Sequence, residues 1–412
     1  MSHALKLQHT QSDVDIAQHP PLRVAFLVRH VAKYRVGLYQ RLVRVQDIDF
    51  RIFCQHLPST CSHTDERPDF LGGLPVSGHP MPGWAFAFRS KTGVPLPSLR
   101  ILRSLVRYRP DVVIMEGISN IGNDLLCLPY LIARRVPFVW WSLGHIPSQS
   151  HTLRARMGVP LHRWFVRHAA ASLAYSSFAK RYMESLGANP ATTYVVHNTL
   201  DEQALLKQIE DCRPKATALR EQWGLRDRPV VVFAGTINPG KRLDALIDAF
   251  ADVQRKLELA KPALVVIGDG PGRMECEKQA ARLGIDKDTL FVGRQDMEAS
   301  AYFLLGDVCV LPGLGGLAIN HAFAHGIPVI CGRADGCEED LVFTGKTGVR
   351  LDEVSVDTLS DAMTRLLSDM PETRRMGENA RHLVTTSITM DHFAGTVFAA
   401  AQHAHRGTNP KA

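Results

Sequence analysis

The stretch best suited to chemistry lies between Cys309 and Arg333. There Val308-Cys-Val-Leu311 runs into Pro312-Gly-Leu-Gly-Gly-Leu317, followed by Ala318 to His325. The short apolar run reads as a buried strand. Gly313, Gly315 and Gly316 let a loop backbone approach a ligand where a Cβ would clash. A helix starting near Leu317 turns its first N–H groups and positive dipole end toward that loop. Gly326-Ile-Pro328 then ends the helix ahead of a second strand, Val329 to Gly332. Such a loop binds an anion or hydroxyl groups through main-chain donors. The same pattern also fits an ordinary glycine-rich turn between a strand and a helix, so the surrounding elements must decide.

Those elements alternate along the chain. Leu22 to Val28, Ile48 to Cys54, Asp111 to Glu116, Val136 to Trp141, Ser172 to Ser176 and Thr193 to His197 read as strands. Helical patterns fall between them, around Tyr34 to Val43, Ser98 to Tyr108, Asn123 to Ala133 and Ser177 to Gly187. After a polar helical crossing from Asp201 to Arg228 the alternation restarts. Its strands are Pro229 to Ala234, Ala263 to Ile267 and Thr289 to Val292, and helices are predicted over Arg242 to Lys256, Arg273 to Leu283 and Ser300 to Leu305. Beyond the glycine-rich stretch, Asp340 to Gly348 reads as a loop, and helices are predicted over 355–368, 376–385 and 392–403. Alternating strands and helices in two successive blocks predict two parallel, doubly wound α/β domains facing a cleft.

A length of 412 residues suits two or three domains, and 45% hydrophobic content supports real cores. No apolar stretch reads as a membrane span. The best candidate, Leu125 to Trp141, is broken by Pro129, Arg134, Arg135 and Pro137. Residues 1–21 are polar and read as a disordered leader. None of the eight cysteines forms a Cys-x-x-Cys pair, which argues for reduced thiols in a cytoplasmic protein, without disulfides or zinc. Charge is uneven: residues 1–200 hold 23 basic and 11 acidic side chains, residues 201–412 hold 25 and 30. A basic first half implies an anionic partner there, such as a phosphorylated substrate or an anionic membrane surface. Nucleic acid is disfavoured, because the basic residues lack the aromatic interleaving of a known binding module. The segment His151 to Ala171 reads as a basic amphipathic helix, or two broken at Pro160. It either faces the core or lies on an anionic membrane. Trp84-Ala-Phe86-Ala-Phe88 is either a buried strand face or an aromatic lip for an apolar acceptor.

Several blocks in order carry a resemblance to a known family. They are Phe233-Ala-Gly235-Thr-Ile-Asn-Pro-Gly-Lys241-Arg242, Leu264-Val-Val-Ile-Gly268-Asp-Gly270-Pro, Leu290-Phe-Val-Gly293, and Pro312 through Val329, preceded by His197-Asn-Thr-Leu-Asp201. Together they resemble the donor half of a GT-B-fold, family-4 retaining glycosyltransferase. The resemblance is good over about residues 195–350 and weak before that. It implies an acceptor-binding Rossmann-like domain at 22–205 and a donor-binding domain at 206–385. It also implies a C-terminal helix and tail at 386–412, with the helix packing back on the first domain. The implied co-substrate is a nucleotide diphosphate sugar, with no metal or other cofactor required, and the implied acceptor is a saccharide or lipid-linked saccharide.

The resemblance also assigns roles. A departing diphosphate needs fixed positive charge, and Lys241 matches the family's diphosphate-binding lysine, with Arg242 able to share the work. Gly235, Thr236, Gly293, Gly315, Gly316 and Leu317 fall at donor-binding positions, with Thr236 standing where the family often has arginine. The family's paired glutamates fall at Gly313 and His321, so neither carboxylate is present. His321 can still accept from a ribose hydroxyl through a neutral ring nitrogen. Glu339 lies near a further family glutamate, or is a plain solvated turn. In the first domain His145 resembles a catalytic-loop histidine, and Lys33 and Arg35 fall on the acceptor side. Loss of both glutamates keeps a non-catalytic GT-B subunit open, and a nucleotide-sugar epimerase is a second alternative.

Overall fold

The computed structural model describes residues 20–56, 74–78, 97–145, 153–257, 260–296 and 298–408. Two parallel sheets carry the molecule. The first holds β1 (Leu22–His30), β2 (Ile48–His56), β3 (Val76–Gly78), β4 (Val112–Met115), β5 (Phe138–Ser142), β6 (Ala171–Ala174) and β7 (Thr193–Val195). Their order is β3-β2-β1-β4-β5-β6-β7. The second holds β8 (Val230–Ala234), β9 (Ala263–Ile267), β10 (Thr289–Gly293), β11 (Val308–Leu311), β12 (Val329–Cys331) and β13 (Gly348–Arg350). Their order is β10-β9-β8-β11-β12-β13.

The sequence pattern accounts for this build. The central strands are almost unbroken apolar runs because helices cover both sheet faces. Along β1, Val24, Phe26 and Val28 enter one core while Ala25 and Leu27 enter the core on the opposite face. In both sheets the strand order reverses at the first strand of the block, between β1 and β4 and between β8 and β11. Ligands of open α/β sheets bind beyond the strand C-termini at such a reversal.

The last helix, Met390–Thr408, packs on the first sheet, as anticipated. Its Phe393, Val397, Ala400 and Ala404 join the core that contains Phe26 and Trp141. The basic segment forms one helix, Leu153–His168, with Pro160 inside it. Phe165 stacks on Trp140 at 4.2 Å while Arg163 and Arg167 stay exposed. The helix predicted over 376–385 begins earlier, at Met370, because the Asp369 carboxylate accepts from the Glu372 amide and Pro371 suits a first turn. Where a loop was expected from Asp340, Glu338–Leu341 form a short helix, and Glu338 accepts from the amides of Ala334 and Gly336. The seven described cysteines are buried. Among the described residues no helix is long and apolar enough to cross a membrane. The aromatic segment Trp84 to Phe88 lies outside the described residues.

Candidate active site

The loops after β8, β9, β10 and β11 converge at the reversal of the second sheet and enclose a hollow of about 520 Å³. Its wall includes Gly235 and Thr236 after β8, Gly268, Asp269 and Gly270 after β9, and Arg294 and Gln295 after β10. Leu317, Ala318 and His321 close it from the glycine-rich side. The β8 and β9 loops approach so closely that a Cβ on Gly268 would lie 1.9 Å from the Gly235 carbonyl oxygen. One on Gly270 would lie 2.4 Å from that of Ile237. These glycines are required by backbone contact.

Lys241 turns inward. Its stem crosses Gly235, where a Cβ would meet Lys241 Cε at 3.3 Å. Its ammonium donates to the carbonyl oxygen of Leu314. Burial pulls its pKa below the ordinary lysine value, with Asp335 acting in the opposite sense. The glycine-rich loop is stitched to the same turn from the other side, since the Leu314 amide donates to the Gly240 carbonyl at 3.1 Å. Lys241 and the 313–317 loop therefore form one unit beside the hollow: Leu317 lines it, while Lys241 stands behind Gly235 and is not itself in the lining. Ala318 and Ile319 donate back to Gly315 and Gly316. The amides of Gly315, Gly316 and Leu317 make no backbone hydrogen bond among the described residues, so they remain donors for a ligand.

His321 sits on the short helix Ala318–Ala324, half-buried, with its ring stacked on Phe303 at 5.3 Å. Burial lowers its pKa to about 4, so the ring is neutral, and its Nδ1 has no partner. It also lines a second hollow of about 570 Å³ that opens between the domains. Lys33 and Tyr34 bound that space on one side, and Gln295 and Asp296 on the other. The two hollows share Gln295, Ala299 and His321, so they adjoin.

Other predicted residues stand elsewhere. Arg242 is exposed and donates to the Val354 carbonyl at 3.1 Å, and it does not line the hollow. Gly293 adopts φ +74° and holds the Gly268 amide at 2.9 Å, shaping the wall without facing the ligand space. The acceptor role expected of Arg35 is corrected. Its guanidinium is buried, lies 4.6–5.1 Å from the ring centres of Tyr34, Trp141, Tyr175 and Phe393, and donates to Asn198. Glu339 is likewise corrected, because it pairs with Arg181 across the domain seam and is not in either hollow. Next to that pair the Asp340 carboxylate accepts from the Ser177 amide at 2.7 Å, and Phe178 packs against Gly336. The His145 ring lies tilted against Tyr182 at 4.2 Å and Phe178 at 5.2 Å, and burial lowers its pKa. It stands behind the seam and outside both hollows.

Sequence reasoning missed Asp269, Arg294, Gln295 and Phe303 as wall residues. The signal for the first three was their place directly after a β9 or β10 strand. It also missed what His197 to Asp201 do: Asn198 holds Arg35 and, through its carbonyl, Asn320, while Thr199 donates to Ile388. On the first domain Asp124 is fully buried with neither oxygen partnered among the described residues, and burial drives its pKa well up.

Residues 31–199 match the Glycosyl transferase 4-like domain and residues 215–383 match Glycosyl transferases group 1. One relative is the GDP-mannose-dependent alpha-(1-6)-phosphatidylinositol monomannoside mannosyltransferase of Mycolicibacterium smegmatis. It is 35% identical over 181 residues, 41% of this chain and 47% of that protein, so the match spans about half its length. Alpha-D-kanosaminyltransferase of Streptomyces kanamyceticus is 29% identical over 71% of this chain and 78% of its own length. Among solved structures, Anabaena HepE in complex with UDP and glucose superposes with a TM-score of 0.68 at 17% identity, covering 92% of this chain and 99% of that one. A GT-B architecture, a hollow at the sheet reversal and both domain matches agree: the chain carries a glycosyl transferase 4-like domain followed by a glycosyl transferases group 1 domain.

Proposed function

We propose that the chain moves a hexosyl group from a nucleotide diphosphate sugar to a saccharide or lipid-linked acceptor. The transfer proceeds with retention, without a required metal, at the inner face of the cell membrane during surface-polysaccharide or glycolipid assembly. The observation that carries the reading is the unit formed by Lys241 and the 313–317 loop. A half-buried ammonium with no carboxylate partner among the described residues stands beside unengaged backbone amides and against Gly235, which lines a nucleotide-sized hollow together with Leu317. Fixed positive charge of this kind stabilises a departing diphosphate. The names of the relatives support the substrate class: one is GDP-mannose-dependent and acts on a phosphatidylinositol mannoside, and HepE was crystallised with UDP and glucose.

A diphosphate at one hundred times its dissociation constant adds about 2.7 kcal/mol of stability. A thermal-shift panel of UDP, GDP and ADP with their sugars is expected to single out one base. Lys241→Ala is expected to abolish that shift, and EDTA to leave transfer intact. An unchanged shift in the variant removes Lys241 from the site.

The absence of both glutamates favours one competing reading, a non-catalytic subunit that holds a nucleotide and transfers nothing. Glycosyl transfer from the preferred donor to any acceptor rules it out. An epimerase would need two opposed carboxylates, and Asp269 is the single carboxylate among the residues lining the donor hollow.

A further inference from the structure

A third hollow with its own chemistry lies at the opposite pole of the first domain. It measures about 420 Å³ and is bounded by Arg23, Arg109, Asp111, Arg134, Arg135 and His405, with Tyr130, Pro110, Val136 and Pro137 completing the wall. Arg23 opens β1, Asp111 precedes β4 and Pro137 precedes β5, so the hollow sits at the N-terminal edge of three adjacent strands. The donor hollow and the domain seam lie beyond the C-terminal edges.

Four arginines face one carboxylate there, and that carboxylate is spent. Asp111 takes Arg23 in a two-pronged pair at 2.9 and 3.3 Å and also accepts from the Arg23 amide at 2.9 Å. The side chains of Arg109, Arg134 and Arg135 have no hydrogen bond or ion pair among the described residues. Elsewhere in the chain Arg213, Arg228 and Arg375 are matched by Glu210, Asp288 and Glu372.

Backbone conformation gives an independent reason to look here. Six described non-glycine residues have positive φ, and two of them, Arg109 and Arg135, both at +54°, line this hollow. Each ends a helix at a position where glycine carries no penalty and an arginine is strained. A helix C-terminus attracts a cation, which accounts for one arginine on each of the two helices. It does not account for strained arginines converging on a concave space beside two more.

We infer that this hollow binds a phosphate group, carried by a small phosphorylated metabolite or by a lipid headgroup. Guanidinium groups grip phosphate oxygens in pairs, and the volume suits a phosphate with one ring attached. Tyr130 and the two prolines supply an apolar wall for that ring. His405 lies near the end of the last helix, which begins beside the interdomain crossing at Met390. An occupant would therefore hold the far end of the segment that straps the second domain to the first.

The test uses the full chain carrying Lys241→Ala, so that phosphate binding at the donor hollow is not counted. Calorimetric titration with inorganic phosphate and with glucose 6-phosphate is expected to show saturable binding that weakens with added salt. Arg109→Gly with Arg135→Gly is expected to lower that affinity about tenfold or more. Because glycine relieves both left-handed positions, this pair is expected to melt no lower than its parent. Arg134→Ala provides a third readout with no backbone change. In parallel, pelleting with phosphatidylcholine vesicles containing phosphatidylglycerol tells the sources apart. Binding of the soluble phosphates, lost in the variants, assigns a free metabolite. Vesicle binding alone, lost in the same variants, assigns a headgroup. No binding in either arm, or binding that survives all three substitutions, overturns the assignment.

Discussion

At Gly313 a Cβ would lie 2.1 Å from the Gly240 carbonyl oxygen and 2.9 Å from Lys241 Cα. The position where the family resemblance expects a glutamate therefore admits no side chain at all, because the loop has closed onto the lysine turn. His321 stands at the second glutamate position with room to face the hollow, neutral and stacked on Phe303. His321→Ala is expected to weaken nucleotide binding about tenfold, the worth of one hydrogen bond, while inorganic pyrophosphate binding changes little. An equal loss for both ligands would place His321 at the phosphates instead. Burial lowers its pKa to about 4 against an ordinary value near 6.5. The ring thus keeps its acceptor nitrogen above that pH and loses it only as pH falls through about 4. Nucleotide affinity measured from pH 8 to pH 5.5 is expected to show no His321-dependent fall. A decline centred near 6.5 that disappears in the alanine variant would mean an ordinary, solvated ring.

Elements earn their precision from loop-to-loop contact. The β8 and β9 loops touch through Gly268, whose φ is +148° and whose amide and surroundings leave no space for a methyl group. Gly284 has φ +74° and nothing within 4 Å of its would-be Cβ. The pair separates clash from strain. Gly284→Ala is expected to cost about 1 kcal/mol, the left-handed penalty alone. Gly268→Ala is expected to cost about 3 kcal/mol or more and to reduce nucleotide binding, since backbone must move. Denaturant unfolding of the two variants decides the matter, and equal losses would show that the loops separate easily. At the same scale, the helix Leu153–His168 accounts for the basic stripe: Phe165 faces the core on Trp140, and Arg163 and Arg167 face out.

Across the whole molecule the two halves are knotted where the chain crosses between them. Arg41 of the first domain reaches Asp201 at 2.6 Å, Glu202 at 3.9 Å and also Asp391, at the start of the returning helix. Burial alone would raise the Asp201 pKa, yet hydrogen bonds from Arg41 and the helix amides hold it below the usual range. Removing the guanidinium leaves three carboxylates facing one another. Arg41→Ala is expected to destabilise the fold by about 2–3 kcal/mol. Arg213→Ala, an exposed pair with Glu210, is expected to change nothing measurable. Equal denaturant midpoints for the two variants would show the crossing to be held by apolar packing alone.

The alternation of apolar runs and helical patterns was enough to settle two doubly wound domains, because strand and helix periodicities are local and differ. The glycine-rich loops after β8, β9 and β11 were legible for the same reason, since backbone contact leaves only glycine. Roles that depend on direction were not. Whether Arg35 met an acceptor or four aromatic rings, and whether Glu339 met a ligand or Arg181, depended on which partners lay opposite. Apart from Tyr34, those partners come from residues more than one hundred positions away. Lys241 and Arg242 are adjacent in sequence, yet one turns to Leu314 and the other to Val354. Arg242 takes φ +52°, and that single backbone turn separates the two charges. The basic first half was visible as composition, but three guanidiniums without a partner among the described residues, meeting in one hollow, required the edges of β1, β4 and β5 to be brought side by side.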